Sequence, residues 1–178
     1  MPRERLSLKA RALTWLAQRE HSRVELRRKL LRVARAEHAE HAAREGAGSA
    51  AAADSSADDS GCDEPERRVD ELLAWLQQHH YLSEARFLES RVHARSARYG
   101  NLRIRQELAQ HGVSPDEDTL SRLRETEMER ARAVWRRKFP APAADAAERA
   151  RQIRFLVQRG FSAEVVRRVV RGSDDEGF

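Results

Sequence analysis

Apolar residues recur along this chain at the three- and four-residue spacing that lines one face of an α-helix. Leu8, Ala12, Trp15 and Leu16 fall at i, i+4, i+7 and i+8, and Leu26, Leu30 and Val33 carry the pattern into the next segment. Val69, Leu72, Leu73 and Leu76 repeat it, Leu102, Ile104 and Leu108 follow more loosely, and Ile153, Phe155, Leu156 and Val157 form a further face. A last set, Val165, Val166, Val169 and Val170, has helical spacing in residues whose branching favours strands. One stretch breaks the pattern: from Ala34 to Glu66 there is no Val, Ile, Leu, Phe, Tyr or Trp. Such a segment cannot bury enough apolar surface to offset chain entropy. Its Ala-rich start is expected to extend the preceding helix to about Arg44, with Gly46 and Gly48 stopping it and a flexible acidic linker beyond.

The helical segments are joined by a recurring junction. Leu16-Ala-Gln-Arg-Glu-His-Ser22 matches Leu108-Ala-Gln-His-Gly-Val-Ser114 and Leu156-Val-Gln-Arg-Gly-Phe-Ser162, and Leu76-Gln-Gln-His-His-Tyr-Leu-Ser83 is the same with one residue inserted. In each, a helix ends in Gln and a basic residue, Gly112 or Gly160 supplies a left-handed turn, and Ser caps the next helix. Ser22-Arg-Val-Glu25 and Ser114-Pro-Asp-Glu117 read as capping boxes, the second with Pro115 in the first helical position. Trp15, Trp75 and Phe155 each precede the junction Leu and, with Trp135, are expected in cores. The Leu-to-Leu intervals of 60, 32 and 48 are too uneven for a strict solenoid. The pattern predicts an all-α, elongated tandem array of small three-helix, helix-turn-helix-like modules with roughly nine helices. Its expected parts are a helix pair (1–36), an acidic linker (37–66), a helix completing the first module (67–82), a central module (83–124), a C-terminal module (125–172) and an acidic tail (173–178).

Charge sharpens the picture. The 178 residues carry 35% charged and 6% aromatic side chains, with mean hydropathy −0.80, a net charge of +5 and a pI near 10.1. Nine acids and a single Arg lie between Glu37 and Glu66, and Asp174, Asp175 and Glu176 add three more acids, so the rest of the chain is strongly basic. A body of that kind expects a polyanion or an acidic protein surface. The single cysteine, Cys62, allows no internal disulfide, and no apolar run approaches the roughly 20 residues of a membrane span. Lys9 and Arg11 interrupt any signal-peptide core, so a cytoplasmic, monomeric protein is expected.

No catalytic constellation is visible. There is no Gly-rich phosphate loop, no Cys–His pairing, no nucleophile elbow and no cofactor motif. Glu37, His38, Glu40 and His41 lack a second ligand pair and are read as incidental, so neither an enzyme nor a metal site is expected. The basic residues, in contrast, are patterned. Arg91, Arg95 and Arg98 fall at i, i+4 and i+7, and the run Arg98-Tyr99-Gly100-Asn101-Leu102-Arg103-Ile104-Arg105 puts three Arg and a Tyr around a Gly turn. Between Arg91 and Arg105 there is no Asp or Glu, so local neutralisation is missing. Arg23 with Arg27, Arg28 with Arg32, Arg167 with Arg171, and Arg136-Arg137-Lys138 supply further basic faces able to hold phosphates or carboxylates.

Taken together, these blocks resemble a known family. SLKARALTWLAQREHSRVELRRKLL near the start resembles the N-terminal signature of the RecX family, regulators of the RecA recombinase. VDELLAWLQQHHYLSEARFLESRVHARSARYGNLRIRQELAQHGVS resembles its central block, and RRKF with RQIRFLVQRGFSAEVVRRVV its C-terminal module. The resemblance covers nearly everything except the linker, in the same order. It implies tandem three-helix modules, no catalysis, weak direct DNA binding, and a role in the groove of the RecA filament on single-stranded DNA. There the family restrains recombinase, ATPase and co-protease activity. The central family motif falls on Arg98, Tyr99, Gly100, Ile104, Arg105, Glu107 and Leu108, of which Ile104 and Leu108 are packing residues and Glu107 is a partner for a nearby Arg. The Ala/Asp-rich insertion departs from the family pattern. Two readings from other classes stand beside this one: a helix-turn-helix transcriptional regulator with a sequence-specific footprint, and a helical RNA-binding protein with steep salt dependence.

Overall fold

The computed structural model describes residues 6–48 and 60–175, with side chains at 6–44 and 64–172. Across those residues the fold is all-α: α1 (Leu8–Gln18), α2 (Arg23–Gly48), α3 (Ser60–Gln78), α4 (Glu84–Ser96), α5 (Asn101–Gln110), α6 (Glu117–Lys138), α7 (Ala146–Gln158) and α8 (Ala163–Asp175). The helices form two units that divide at Phe87 and Leu88.

In the first unit α1, α2 and α3 share one core of Leu8, Ala12, Leu26, Leu30, Ala34, Val69, Leu73, Leu76 and Leu82. Trp15 and Trp75 pack half-buried against it, each under a lysine: Lys29 Nζ lies 5.1 Å from the Trp15 ring and Lys9 Nζ 3.5 Å from the Trp75 ring. The expected linker is narrower than 37–66, because helix occupies both ends, to Gly48 and from Ser60. Ala-rich sequence propagates a helix already nucleated by packed turns. On the other side Pro65, in the early part of α3, leaves the helix intact. The middle of the linker (49–59), the Cys62 side chain and the end of the acidic tail (176–178) lie outside the described residues.

The second unit explains why the described residues form eight helices where roughly nine were expected. Glu117–Lys138 is one 22-residue helix, with no Gly or Pro to break it. It opens with Glu117 and Asp118 and closes with Arg136, Arg137 and Lys138, charges that suit both ends of the helix dipole. Its first half carries the buried Leu123, and Ile104 and Leu108 are the buried residues of α5. Its second half packs Ala131, Val134 and Trp135 against Leu156 of α7 and Val166, Val169 and Val170 of α8. The valine-rich segment is thus a helix, because its apolar spacing outweighs its local propensity. The indole of Trp135 donates to buried Gln152 Oε1 at 2.9 Å.

The recurring junction is a Schellman-type turn in three of its four copies. The carbonyls of Leu76, Leu108 and Leu156 accept the N–H of Tyr81, Val113 and Phe161, at 2.9, 3.1 and 3.3 Å. Gly112 (φ 70°), Gly160 (φ 80°) and, in the second copy, His80 (φ 59°) take the left-handed position. The first copy has no such residue, and Arg19 there is extended. Ser22 and Ser83 cap as expected, accepting from Glu25 N (3.1 Å) and Arg86 N (3.3 Å). Ser114 does not. Asp116 caps α6 by accepting from Thr119 N at 2.8 Å, so Pro115 precedes the helix rather than opening it.

Candidate functional site

Two turns of the second unit meet backbone to backbone. One, Ala97 to Gly100, joins α4 to α5; the other, Arg159 to Ser162, joins α7 to α8. Gly100 N donates to Arg159 O (2.9 Å) and Leu102 N donates to Gly160 O (3.0 Å). The approach is possible only without side chains. A Cβ on Gly100 would lie 2.3 Å from the Gly160 carbonyl, and one on Gly160 would lie 2.6 Å from Arg103.

A buried carboxylate on α6 clamps the pair. Glu127 Oε1 accepts Asn101 N (3.1 Å) and Ser162 N (3.3 Å), and Oε2 accepts the Ser162 hydroxyl (3.1 Å). It therefore lies at the N-termini of both α5 and α8, where unpaired amides and the helix dipoles favour negative charge. One turn further along α6, Arg130 donates to the carbonyls of Ser96 (3.3 Å), Tyr99 (2.8 Å) and Leu123 (2.9 Å) and to Asn101 Oδ1 (2.6 Å). Burial lowers the Arg130 pKa from its ordinary value, and the charge of Glu127 opposes that shift. The two side chains pin both turns to the middle of the long helix.

Beside this lock an open cleft of about 420 Å³ is lined by Ala97, Arg98, Tyr99, Val134, Arg137, Lys138, Phe155 and Arg159. Four side chains in the lining are cationic and none is acidic. Arg159 donates to Arg98 O (3.2 Å) and lies over the Phe155 ring, 4.5 Å from its centre. Phe155 in turn meets Phe139 edge-on at 5.3 Å. Such a lining can hold an anion and present a flat, partly apolar surface next to it.

The twelve basic and turn residues singled out from the sequence fall into separate places. Arg98, Tyr99, Arg137 and Lys138 converge on the cleft, although about forty positions separate the two pairs. Gly100 belongs to the backbone lock, and Arg103 serves it by donating to Gln158 O (3.2 Å) while covering the Tyr99 ring at 4.6 Å. Arg91 and Arg95 do not form an unneutralised stripe with Arg98. Glu107, just past the acid-free window, lies 3.5 Å from Arg91 and 3.0 Å from Arg95, and α4 ends at Ser96, before Arg98. Arg105 is exposed on α5 and Arg136 on α6, neither in the cleft lining. In the first unit Arg23 is exposed, whereas Arg27 forms a two-pronged pair with Asp70 (2.7 and 2.8 Å) and lies 3.6 Å from Glu66.

Four contributors escaped the sequence reading as site residues: Arg159, Phe155, Glu127 and Arg130. The first two were visible in the junction, as its basic residue and its core aromatic. Glu127 had its own signal, as a carboxylate in line with Leu120, Leu123, Ala131 and Val134 on an otherwise apolar face. Glu37, His38, Glu40 and His41 line a shallow cleft of about 320 Å³ with Arg44 and Arg68. Among the described residues no group of three or more His, Cys, Asp or Glu could hold a metal ion, and no helix is long and apolar enough to cross a membrane.

Residues 83–117 match the family model of the second three-helix domain of RecX, and residues 125–170 match that of the third. A protein of Ralstonia nicotianae named "Regulatory protein RecX" is 46% identical over 98% of this chain and 92% of its own length. The chain belongs to the RecX family. Relatives of the same name in Leptothrix cholodnii and Neisseria meningitidis serogroup B are 48% and 34% identical, over 98% and 97% of this chain and 94% of each relative. In RecX terms the cleft is a seam. Arg98 and Tyr99 come from the second domain, and Val134, Arg137, Lys138, Phe155 and Arg159 from the third.

Proposed function

We propose that this RecX-family regulator is a non-catalytic protein that binds the RecA nucleoprotein filament on single-stranded DNA and restrains its recombinase, ATPase and co-protease activity. It acts in the cytoplasm in DNA repair by recombination and in the SOS response. The observation that carries the reading is the acid-free cleft with its four cations, built beside turns that are held by backbone bonds and by the Glu127 carboxylate. A filament offers a regular polyanion, and a rigid basic seam can bias it only by binding one filament state more tightly than another.

The test is RecA ATP hydrolysis on single-stranded DNA, titrated with the wild-type chain and with an Arg98→Glu/Arg137→Glu variant. Inhibition at ratios too low to coat the DNA, lost in the variant, is the expected result. Inhibition only when the DNA is saturated would mean competition for DNA. No inhibition, with a footprint at defined sequences, would replace this reading with a transcriptional regulator.

A further inference from the structure

The cleft is shaped for more than charge. A phosphate alone would use the cations of Arg98, Arg137 and Lys138 and leave most of a 420 Å³ space unfilled. The remaining wall is Phe155 with the Arg159 guanidinium layered over it, and that guanidinium is pinned by its bond to the Arg98 carbonyl. Tyr99, with the Arg103 guanidinium 4.6 Å and the Arg95 guanidinium 5.7 Å from its ring centre, forms a second aromatic–arginine layer at the same rim. Aromatic and guanidinium planes are the surfaces on which exposed nucleobases stack, and a base offers its flat face only when it is unpaired. Carboxylates alone would satisfy the cations and gain nothing from these layers.

We propose that the cleft between the second and third three-helix domains is a seat for one unpaired nucleotide of a single strand, with its phosphate among Arg98, Arg137 and Lys138 and its base against the Arg159–Phe155 layer. This deepens the filament reading by naming the ligand of the same cleft, and it is tested without recombinase. Binding of the full chain to a fluorescent oligothymidylate, and to the same strand as a duplex, is measured by anisotropy across a salt series. The single strand binds more tightly than the duplex. Arg137→Gln removes one phosphate contact and flattens the plot of log K against log salt by about 0.7. Phe155→Leu weakens binding by about fivefold or more and leaves the slope unchanged, because stacking releases no counterions. Should Phe155→Leu perturb the fold by circular dichroism, Arg159→Lys keeps the charge, loses the plane, and gives the same signature.

Equal affinity for duplex and single strand, or wild-type affinity in both stacking variants, overturns the proposal. The ATPase titration separates this failure from that of the regulator. Intact inhibition by Phe155→Leu and Arg159→Lys, together with wild-type oligonucleotide binding, would discard the nucleotide seat and keep the regulatory reading.

Discussion

Adding a single methyl group at Gly100 tests the backbone lock. Gly100 has φ −80° and ψ 171°, an extended conformation that any L-residue adopts. Alanine there is unstrained and narrows the unfolded ensemble, a gain of about 0.4–1 kcal/mol. Against that gain, the new methyl would sit 2.3 Å from Gly160 C, Gly160 O and Phe161 N. All three are backbone atoms of a turn fixed by Glu127, so no side chain can swing aside. Ordinary contact begins near 3.4 Å, so the turns must part by an amount that breaks the bonds at 2.9 and 3.0 Å. Two such bonds contribute about 1 kcal/mol each, and crowding a packed contact costs about 1–3 kcal/mol more. The expected net loss for Gly100→Ala is about 2–4 kcal/mol.

Urea unfolding followed by circular dichroism measures the loss, and hydrogen exchange at the Gly100 and Leu102 amides localises it. Gly172→Ala is the control of opposite sign. A Cβ at Gly172, inside α8, meets nothing within 4 Å, so alanine should stabilise by up to about 1 kcal/mol. The reasoning fails if Gly100→Ala is as stable as wild type and both amides stay protected.

Two further changes probe buried charge. Glu127→Ala leaves two helix-end amides unpaired and removes the charge that supports half-buried Arg130, a loss of about 3 kcal/mol or more in urea unfolding, whereas Glu127→Gln keeps an acceptor and loses less. Burial of His21, 1% exposed in the first unit, lowers its pKa below 6.5 against the opposing pull of Glu25, whose Oε1 lies 3.3 Å from Nδ1 without hydrogen-bond geometry. The unfolded chain therefore binds this proton more readily than the folded one. The stability due to His21 is complete above about pH 6.5 and is lost as pH falls toward its lowered folded value. Thermal unfolding between pH 7.5 and 5 should show that slope in wild type and a flatter one in His21→Phe; parallel curves would refute the assignment.

The helices and junctions could be read from the sequence because their causes are local. Leucine spacing, a left-handed Gly and a nearby capping residue act within one or two turns of chain. The reading failed where a local signal had two claimants, as at Ser114 and Asp116, or where one unbroken helix replaced two expected ones, as in α6. The site is a different kind of object. Arg98, Arg137 and Arg159 share one cleft because two glycine turns pack together, and no window along the chain contains that fact. Charge counted in a window misleads for the same reason. The stretch from Arg91 to Arg105 holds no acid, yet Glu107 lies two positions beyond it, and the turn between α4 and α5 brings its carboxylate back to Arg91 and Arg95. Glu127 points to a better rule. A carboxylate in register with apolar neighbours on a long helix must be buried with partners, since burying it alone would cost too much. Such a residue marks where other segments bring their backbone amides. In this chain those amides belong to Asn101 and Ser162, the starts of the two helices whose preceding turns build the cleft.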